Sequence, residues 1–345
     1  MKTMQAAVLV APHKLELREV PRPQIGPDEV LIRVTRTGIC GTDLHMFHGH
    51  YAADDLPIIP GHEFCGIVEE AGANQRHLTP GKVVVADINI GCGHCYWCRR
   101  NEVLNCPEMA QLGITRDGAF AEFVALPGRL VIPAPNDISP EILALTEPVA
   151  CVVRAARKAH AGIAQSVVVL GAGPVGNLHV QMMRLMGAAP IIVADLSAER
   201  CTMALDVGAD AAISDNAQLK ATVLELTCGR GADLVIESVG HPALYATAFD
   251  LIRKGGHVAF FGLTGPDEVA PVPILRTILE ENGLKGSVAG MGQDMHDALA
   301  LLAHGRFHTE AFTTASYPLA RIQEAFETLA ERSADLKTQI VIAQN

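Results

Sequence analysis

The stretch SVVVLGAGPVG, residues 166–176, joins a short apolar run to a turn that is rich in glycine. The apolar run predicts a buried strand, and the segment NLHVQMMRLMG that follows predicts a helix. The turn matches the pattern G-x-G-x-x-G and consists of Gly171, Ala172, Gly173, Pro174, Val175 and Gly176. The first glycine allows a tight turn, the second lets a pyrophosphate approach the backbone at the helix N-terminus, and the third lets helix and strand pack closely. This context predicts a dinucleotide-binding site at the turn.

The next predicted strand, IIVAD at residues 191–195, ends in a carboxylate that can select the dinucleotide. Asp195 can accept hydrogen bonds from ribose hydroxyls, and its charge would repel a 2′-phosphate, so the sequence favours NAD over NADP. Arg200 lies one turn inside the following helix. Its side chain either flanks the adenine or is solvated on the helix surface, and the sequence leaves both interpretations open.

The chain changes character near residue 149. From there to about residue 290, strands and helices alternate, which predicts a parallel sheet with helices on both faces. Residues 1–148 instead contain short alternating runs broken by proline and glycine, a pattern typical of a β-rich domain. We expect residues 291–345 to pack back onto this first domain. The predicted fold class is therefore α/β, with a β-rich domain (1–148 and 291–345) and a doubly wound dinucleotide-binding domain (149–290).

Four of the nine cysteines lie in one short loop, GCGHCYWCRRNEVLNC at residues 91–106. They are Cys92, Cys95, Cys98 and Cys106. Their spacing lets the thiolates converge on one zinc ion, and four sulfur ligands leave no open position for a substrate. Disulfide pairing is the alternative, which a reducing cytoplasm disfavours. The sequence thus predicts a structural zinc lobe at about residues 88–110, with the chemistry located elsewhere.

A second set of metal-ligating residue types is spread over three segments. It consists of Cys40, His62, Glu63 and Glu147. A catalytic zinc needs about three protein ligands and one open position, which Cys40, His62 and one carboxylate would satisfy. Neighbouring residues of a strand point to opposite faces, so we expect Glu147 to complete the set, with Glu63 close by and able to exchange. Asp43 could accept a hydrogen bond from the other ring nitrogen of His62.

The composition disfavours several classes of function. The chain has 345 residues, of which 49% are hydrophobic, and a net charge of −11 without a large basic cluster. The negative charge argues against nucleic acid and anionic membranes as partners, and no apolar run reaches the roughly 18 residues that span a bilayer. The N-terminal segment does not resemble a signal peptide, so we expect a cytoplasmic protein that acts on a small molecule.

Five segments occur in one order along the chain: GICGTDLH (38–45), PGHE (60–63), CGHCYWCRRNEVLNC (92–106), EPVA (147–150) and GAGPVG (171–176). Together they resemble the zinc-dependent medium-chain alcohol dehydrogenase superfamily, and the resemblance covers essentially the whole chain. It implies a GroES-like catalytic domain, a Rossmann domain, two zinc ions per chain and NAD. It also implies a homo-oligomer, which in the polyol and threonine branches is more often a tetramer than a dimer.

The resemblance implies roles for individual residues as well. Cys40 and His62 match the ligands of the catalytic zinc, and the cysteine-rich segment matches the structural-zinc lobe. Thr42 matches the hydroxyl that accepts the substrate proton, and His45 matches the histidine that ends the proton relay. The alcohol dehydrogenase branch has a cysteine where this chain has Glu147, which is similar to the sorbitol (polyol) and threonine dehydrogenase branches.

These features predict a zinc-dependent oxidoreductase that transfers a hydride from a secondary alcohol to NAD, with polyols or sugar alcohols as the favoured substrates. Alternatives with the same chemistry are an L-threonine 3-dehydrogenase and a general alcohol or butanediol dehydrogenase. A more remote alternative is a non-catalytic protein that binds NAD and zinc on the same fold. The sequence does not distinguish the substrate, the stereospecificity, a dimer from a tetramer, or Glu63 from Glu147 as the resting zinc ligand.

Overall fold

The computed structural model describes residues 2–265, 267–329 and 336–343. The chain divides into two compact units. The first comprises Met1–Ala150, Met291–Gly305 and Thr309–Asn345, and the second comprises Cys151–Gly290 and Arg306–His308. The second unit is thus inserted into the sequence of the first.

Strands and helices are numbered along the chain. The strands are β1 (Thr3–Ala11), β2 (Lys14–Pro21), β3 (Glu29–Gly38), β4 (Glu63–Ala71), β5 (Val83–Ala86), β6 (Asn89–Ile90), β7 (Ala110–Gln111), β8 (Phe123–Pro127), β9 (Val131–Pro133), β10 (Val167–Leu170), β11 (Ile191–Ala194), β12 (Ala211–Ile213), β13 (Ala232–Glu237), β14 (Ile252–Phe260), β15 (Gly283–Gly286), β16 (Ala315–Pro318) and β17 (Thr338–Val341). The helices are α1 (Gly41–Phe47), α2 (Tyr96–Arg99), α3 (Pro140–Leu143), α4 (Thr146–Lys158), α5 (Pro174–Leu185), α6 (Ala198–Asp206), α7 (Asn216–Leu226), α8 (Pro242–Leu251), α9 (Ile274–Leu279), α10 (Gln293–Ala303) and α11 (Ile322–Leu329).

The first unit is built on a mostly antiparallel sheet with the strand order β16-β17-β3-β4-β5-β9, and β8 also pairs with β3. Small antiparallel sheets formed by β1-β2 and β6-β7 complete it. Val30, Ile32 and Val34 of β3 are fully buried and pack in one core with Phe64 and Val68 of β4. These three residues alternate along β3, as expected for one face of a strand, and Leu31 on the other face is buried as well.

The second unit contains a parallel sheet with the strand order β12-β11-β10-β13-β14-β15. All four residues of β10 are buried, as expected for a strand covered on both faces. The strand order reverses direction at β10, and the glycine-rich turn lies between β10 and α5. The predicted α/β fold class, with a GroES-like and a Rossmann-type unit, is confirmed. Among the described residues, every helix is too short or too polar to cross a membrane.

Candidate active site

The end of β3 and the beginning of β4 lie side by side, because Gly38 pairs with Glu63 in the antiparallel register. Cys40 follows β3 and caps α1, whereas His62 directly precedes β4. The ligating atoms of Cys40, His62 and Glu63 lie within 4.8 Å of one another. His62 and Glu63 are buried, and Cys40 is half-buried. The structure therefore gathers one thiol, one imidazole and one carboxylate at this edge of the sheet.

His62 and Glu63 both reach this cluster, which differs from the expectation based on strand alternation. Gly61 has a φ of 95°, and β4 begins only at Glu63, so His62 lies in the bend before the strand. A Cβ at Gly61 would approach the Phe120 backbone nitrogen to 2.9 Å, so the bend depends on glycine. The alternation rule holds within a strand and does not apply across its first residue.

Glu147 occupies a different position from Glu63. It lies in the first turn of α4 and is 7% exposed. In the part of the chain that the structure describes, its carboxylate is not among the atoms gathered around Cys40 and His62. It is near enough to raise the pKa of Lys337, together with Glu63 and Cys40. Both candidate carboxylates thus belong to one group of interacting charges, and Glu63 is the one in direct reach of Cys40 and His62.

Asp43 connects the two segments that carry Cys40 and His62. Its side chain is fully buried, and its Oδ2 accepts a hydrogen bond of 2.8 Å from the Cys40 backbone N–H. Its Oδ1 accepts one of 3.3 Å from the Gly61 N–H and lies 3.4 Å from Nδ1 of His62. Burial alone lowers the pKa of His62, but the Asp43 carboxylate and the Cys40 thiol raise it well above its ordinary value. The geometry supports the predicted contact between Asp43 and the His62 ring.

Lys337 was missed by the sequence analysis. Its ammonium group contacts both carboxylate oxygens of Glu63, and both side chains are buried. Burial by itself lowers the pKa of Lys337, but the charges of Glu63 and Cys40 raise it, so the ammonium stays protonated. The only sequence signal is a lysine at the start of the apolar segment LKTQIVIA. A Cβ at Gly38 would collide with the Glu63 carboxylate, so the ion pair also depends on that glycine.

The donor set fits a zinc ion. Thiolate, imidazole and carboxylate are the common zinc ligands in proteins, and three of them leave one coordination position open. The Lys337 ammonium supplies one positive charge beside a thiol and two carboxyl groups, so a divalent cation would balance the remaining negative charge. The cluster of Cys40, His62 and Glu63 is accordingly a candidate metal centre with an open position.

Thr42 and His45 lie on α1, one helical turn apart. The Thr42 hydroxyl is 3.8 Å from Sγ of Cys40, which places a hydroxyl group beside the candidate metal centre. His45 is exposed to solvent. Burial of part of its ring and the neighbouring His50 lower the pKa of His45, so its imidazole is neutral at pH 7.

The four sulfur atoms of Cys92, Cys95, Cys98 and Cys106 lie within 4.8 Å of one another. None of these cysteines forms a disulfide. Backbone N–H groups point at the sulfur atoms: the N–H of Cys95 lies 3.4 Å from Sγ of Cys92, and that of Cys98 lies 3.4 Å from Sγ of Cys95. Hydrogen bonds from the backbone N–H of His94 and from Cys95 and Cys106 together lower the pKa of Cys92 to about 6. This arrangement fits a closed, tetrahedral zinc site of four thiolates.

The glycine-rich turn of the second unit leads directly into the N-terminus of α5. Gly171 has a φ of 96°, and α5 begins at Pro174 with Gly173 as its N-cap. Val175 lies in the first turn, and a Cβ at Gly176 would collide with the carbonyl oxygen of Gly171. The N-terminus of α5 therefore opens directly at the turn, where its backbone N–H groups and dipole favour an anion.

A cavity of about 650 Å³ lies at the carboxyl ends of β10 and β11. Its lining includes Gly171, Gly173, Asp195, Ser197, Arg200, Asn216, Ser238 and His241. Asp195 accepts backbone hydrogen bonds from Ala172 (2.7 Å) and Ser197 (2.8 Å), which fix the position of its carboxylate at the cavity wall. The polar side chains of Asn216 and His241 were not predicted, because they lie in segments far from the glycine motif.

Comparison with known families agrees with this arrangement. Residues 26–136 match the alcohol dehydrogenase GroES-like domain, and residues 174–304 match the zinc-binding dehydrogenase family. An alcohol dehydrogenase of Geobacillus stearothermophilus is 32% identical over 94% of this chain and 96% of its own length. A D-arabitol-phosphate dehydrogenase of Enterococcus avium is 31% identical over 96% and 95%, respectively. An L-threonine 3-dehydrogenase of Legionella pneumophila (strain Corby) is 30% identical over 91% and 93%.

Solved structures show the same similarity. A protein assigned as a zinc-binding dehydrogenase from Sinorhizobium meliloti 1021, bound to NADP, has a TM-score of 0.92 and 30% identity, covering 99% of this chain and 100% of that one. An alcohol dehydrogenase from Escherichia coli CFT073, complexed with NADH, has a TM-score of 0.92 and 25% identity with the same coverage. The similar structures thus include one with each nicotinamide cofactor.

Proposed function

Because this chain belongs to the zinc-dependent medium-chain dehydrogenase superfamily, we propose that it transfers a hydride from a secondary alcohol, with polyols as the favoured substrates, to NAD. The observation that carries the proposal is the convergence of Cys40, His62 and Glu63. Three ligands of these types leave a zinc ion with one open position, which is what a substrate hydroxyl requires.

We propose two zinc ions per chain. Cys40, His62 and a carboxylate of Glu63 or Glu147 would hold the catalytic ion, and the four cysteines of the lobe would hold a structural ion. A catalytic zinc supplies Lewis acidity; the pKa of a zinc-bound water, for comparison, falls from about 15.7 to about 7. The lobe offers no open position, so its ion would contribute to folding rather than to the reaction.

The protein's own groups would move the proton and orient the reactants. The Thr42 hydroxyl lies beside Cys40 and is the proposed proton acceptor from the substrate. His45 is neutral at pH 7 and exposed, so it can take a proton and release it to solvent. At the cofactor, the turn from Gly171 to Gly176 would bind the pyrophosphate at the N-terminus of α5.

NAD is the proposed cofactor rather than NADP. The Asp195 carboxylate is held at the cavity wall by two backbone N–H groups, so it cannot easily turn away from a ribose. Its negative charge would repel a 2′-phosphate, whereas it can accept hydrogen bonds from ribose hydroxyls. Arg200 lines the same cavity, which supports its placement beside the adenine rather than on the solvated surface.

Polyols are the favoured substrates because the third ligand of the proposed metal centre is a carboxylate. The alcohol dehydrogenase branch has a cysteine as the third ligand instead. Oxygen ligands make the site harder, and a harder site suits a substrate that offers a second hydroxyl oxygen. The similarity to a D-arabitol-phosphate dehydrogenase supports this class. L-threonine is the second candidate substrate, supported by the similarity to the threonine 3-dehydrogenase, and a simple alcohol or butanediol is the third.

Two further proposals concern the environment of the protein. An apolar surface at α9, formed by Ile274, Leu275, Ile278 and Leu279, is 61–73% exposed and adjoins the edge strand β15 in sequence. Exposed apolar side chains next to an unpaired strand edge support a homo-oligomer in which a second copy covers this surface, with a tetramer favoured.

All nine cysteines are free thiols, which supports the cytoplasm as the location.

The test is a substrate panel on the zinc-loaded full chain. Xylitol, sorbitol, D-arabitol, 2,3-butanediol and L-threonine are supplied with NAD or NADP, and the absorbance of the reduced cofactor is recorded. We expect the highest kcat/KM with a polyol and NAD. A higher kcat/KM with threonine or with a simple alcohol would show that polyols are not the favoured substrates. No reduction of either cofactor with any of these compounds would favour the non-catalytic alternative.

A further inference from the structure

Four imidazole rings cluster at the C-terminal end of α1, outside both zinc-ligand sets. They belong to His13, His45, His48 and His50. The ring centroids of His13 and His48 are 4.9 Å apart, those of His48 and His50 are 5.9 Å apart, and those of His45 and His50 are 6.4 Å apart. Within the described residues, none of the four rings makes a side-chain hydrogen bond, so their nitrogen lone pairs are available.

The backbone holds together the two segments that carry these rings. His13 lies in the turn between β1 and β2, and its backbone N–H donates a hydrogen bond of 2.6 Å to the carbonyl oxygen of Phe47. Gly49 has a φ of 74°, and a Cβ at this position would approach Cγ of Pro12 to 2.9 Å. The turn after α1 is therefore packed against the β1–β2 turn, and it brings His50 back beside His48.

A buried aromatic side chain forms the base of the cluster. Phe47 is 3% exposed and contacts Phe326 at a centroid distance of 5.1 Å. The same ring makes edge contacts with His13 at 5.3 Å and with His48 at 5.5 Å. These contacts support two of the imidazole rings from below, while His13 and His50 are exposed to solvent.

We propose that His13, His48 and His50 form a binding site for a borderline divalent metal ion, of the class of Ni²⁺, Cu²⁺ and Zn²⁺, in addition to the two zinc sites. Two imidazoles that share one tetrahedral ion through metal–nitrogen bonds of about 2.0–2.1 Å place their ring centroids about 5 Å apart. The separation of His13 and His48 already has this value, and that of His48 and His50 exceeds it by less than an ångström. The ligating nitrogens of all three are not yet gathered within 4.8 Å, so binding requires rotation of the exposed His13 and His50 rings.

The ligand type selects the metal. Imidazole nitrogen binds nickel, copper and zinc well, whereas magnesium and calcium prefer oxygen ligands. Burial and the neighbouring imidazoles of His13, His50 and His45 lower the pKa of His48, so this ring is unprotonated at neutral pH. Neutral imidazoles are what a metal ion needs. An anion such as phosphate would need protonated rings, which repel one another at these distances, so a cation is the better ligand.

The test is calorimetric titration of Ni²⁺ into the zinc-loaded full chain. We expect one Ni²⁺ per chain at this site, and no heat of binding with Mg²⁺. Removal of one imidazole in His13→Gln, His48→Gln or His50→Gln should weaken Ni²⁺ binding about tenfold or more, because three ligands become two. His77→Gln removes another exposed histidine, outside the cluster, and should leave the titration unchanged.

Gly49→Ala provides a second variant that keeps every histidine. Its Cβ would push the turn after α1 away from Pro12, so it should weaken Ni²⁺ binding without removing a ligand. Ni²⁺ binding that is absent in the unaltered chain, or unchanged in the exposed-site variants His13→Gln and His50→Gln, would overturn the proposal. The measurement reports binding rather than turnover, so its failure is distinguishable from a failure of the proposed dehydrogenase activity.

Discussion

The carboxylate of Asp43 lies 3.4 Å from Nδ1 of His62 while it accepts backbone hydrogen bonds from Cys40 and Gly61. One buried side chain thus fixes both segments that carry the candidate zinc ligands. It also faces one ring nitrogen of His62, so the other nitrogen is left to bind a metal. Partners of this kind set the orientation and the tautomer of a ligating histidine.

Asp43→Asn is expected to weaken zinc binding at the candidate active site. The amide offers only one acceptor oxygen and places an NH₂ group near the backbone donors, so one of the present hydrogen bonds is lost. Loss of such a partner typically costs about 10–100-fold in metal affinity or activity. Zinc retained after dialysis against a chelator measures the effect. Asp117→Asn, which removes a carboxylate that bonds the Ile59 N–H instead, is the control; equal zinc retention in both variants would contradict the role of Asp43.

Cys40→Ala and Cys95→Ala are expected to separate the two zinc sites. The unaltered chain should bind about two zinc ions, and each variant about one. Cys40→Ala should keep the fold but lose the alcohol-oxidising activity. Cys95→Ala should lower the thermal stability, because the lobe loses its closed site. Metal analysis and thermal unfolding, run on the same samples, check both outcomes; two retained ions in Cys40→Ala would exclude it as a ligand.

The local motifs could be predicted from the sequence because each is read from a few neighbouring residues. The glycine turn at 171–176 and the cysteine spacing at 92–106 are of this kind. In the structure, Gly171 has a positive φ and the four sulfur atoms lie within 4.8 Å of one another, which is compatible with both predictions. Positions that depend on the β3–β4–β17 register could not be predicted. Lys337 meets Glu63 only because these strands pair, and nothing near either residue in the sequence indicates the contact.

The relation between Glu63 and Glu147 shows the same limit of local reasoning. From strand alternation, the side chains of His62 and Glu63 are expected to point to opposite faces. Gly61 instead has a left-handed conformation, and His62 lies before the strand begins. Such a bend depends on the packing of Phe120 against Gly61, which involves residues far apart in sequence. The sequence motif therefore identified the candidate ligands but not which carboxylate approaches Cys40.

Lys337→Met is expected to destabilise the protein strongly. It removes the counter-charge of a buried carboxylate, and breaking one partner of a buried ion pair costs about 3–5 kcal/mol. The free energy of unfolding, measured with urea on the metal-free chain so that no zinc ion balances the Glu63 charge, should fall by about this amount. Glu63→Gln in the same chain removes the isolated charge and should recover part of the loss. Additive effects of the two substitutions would show that the ion pair does not stabilise the fold.

Leu275→Glu and Leu279→Glu are expected to reduce the oligomeric state. Both side chains are more than 70% exposed in the single chain, and a second copy that covers them would have to bury the new charges. Light scattering coupled to size-exclusion chromatography gives the mass directly. Ile163→Glu, at another exposed position of the same unit, should leave the mass unchanged. An unchanged oligomer in both leucine variants would place the interface elsewhere.

His179 is expected to make the protein less stable in mild acid. Its ring is fully buried in α5, and Phe261 packs against it at 5.0 Å. Among the residues that the structure describes, neither ring nitrogen has a hydrogen-bond partner. Burial lowers the pKa of His179 to about 3. The unfolded chain, with a His pKa of about 6.5, therefore binds a proton more readily than the folded chain, and stability is lost as the pH falls from about 6.5 towards 3.

Protonation of His179 between pH 7 and pH 5 stabilises only the unfolded state. This one group should therefore lower the free energy of unfolding by about 2 kcal/mol over that interval. His179→Leu removes the titrating group. Between pH 7 and pH 5 the free energy of unfolding of this variant should therefore fall by about 2 kcal/mol less than that of the unaltered chain. His77→Leu, at an exposed position, should keep the pH dependence of the unaltered chain. Urea unfolding at pH 7, 6 and 5 provides the comparison. A change in packing caused by the leucine shifts the free energy of unfolding equally at every pH, so it does not affect this comparison. If the free energy of unfolding has the same pH dependence in His179→Leu and in the unaltered chain, then His179 is protonated in the folded protein.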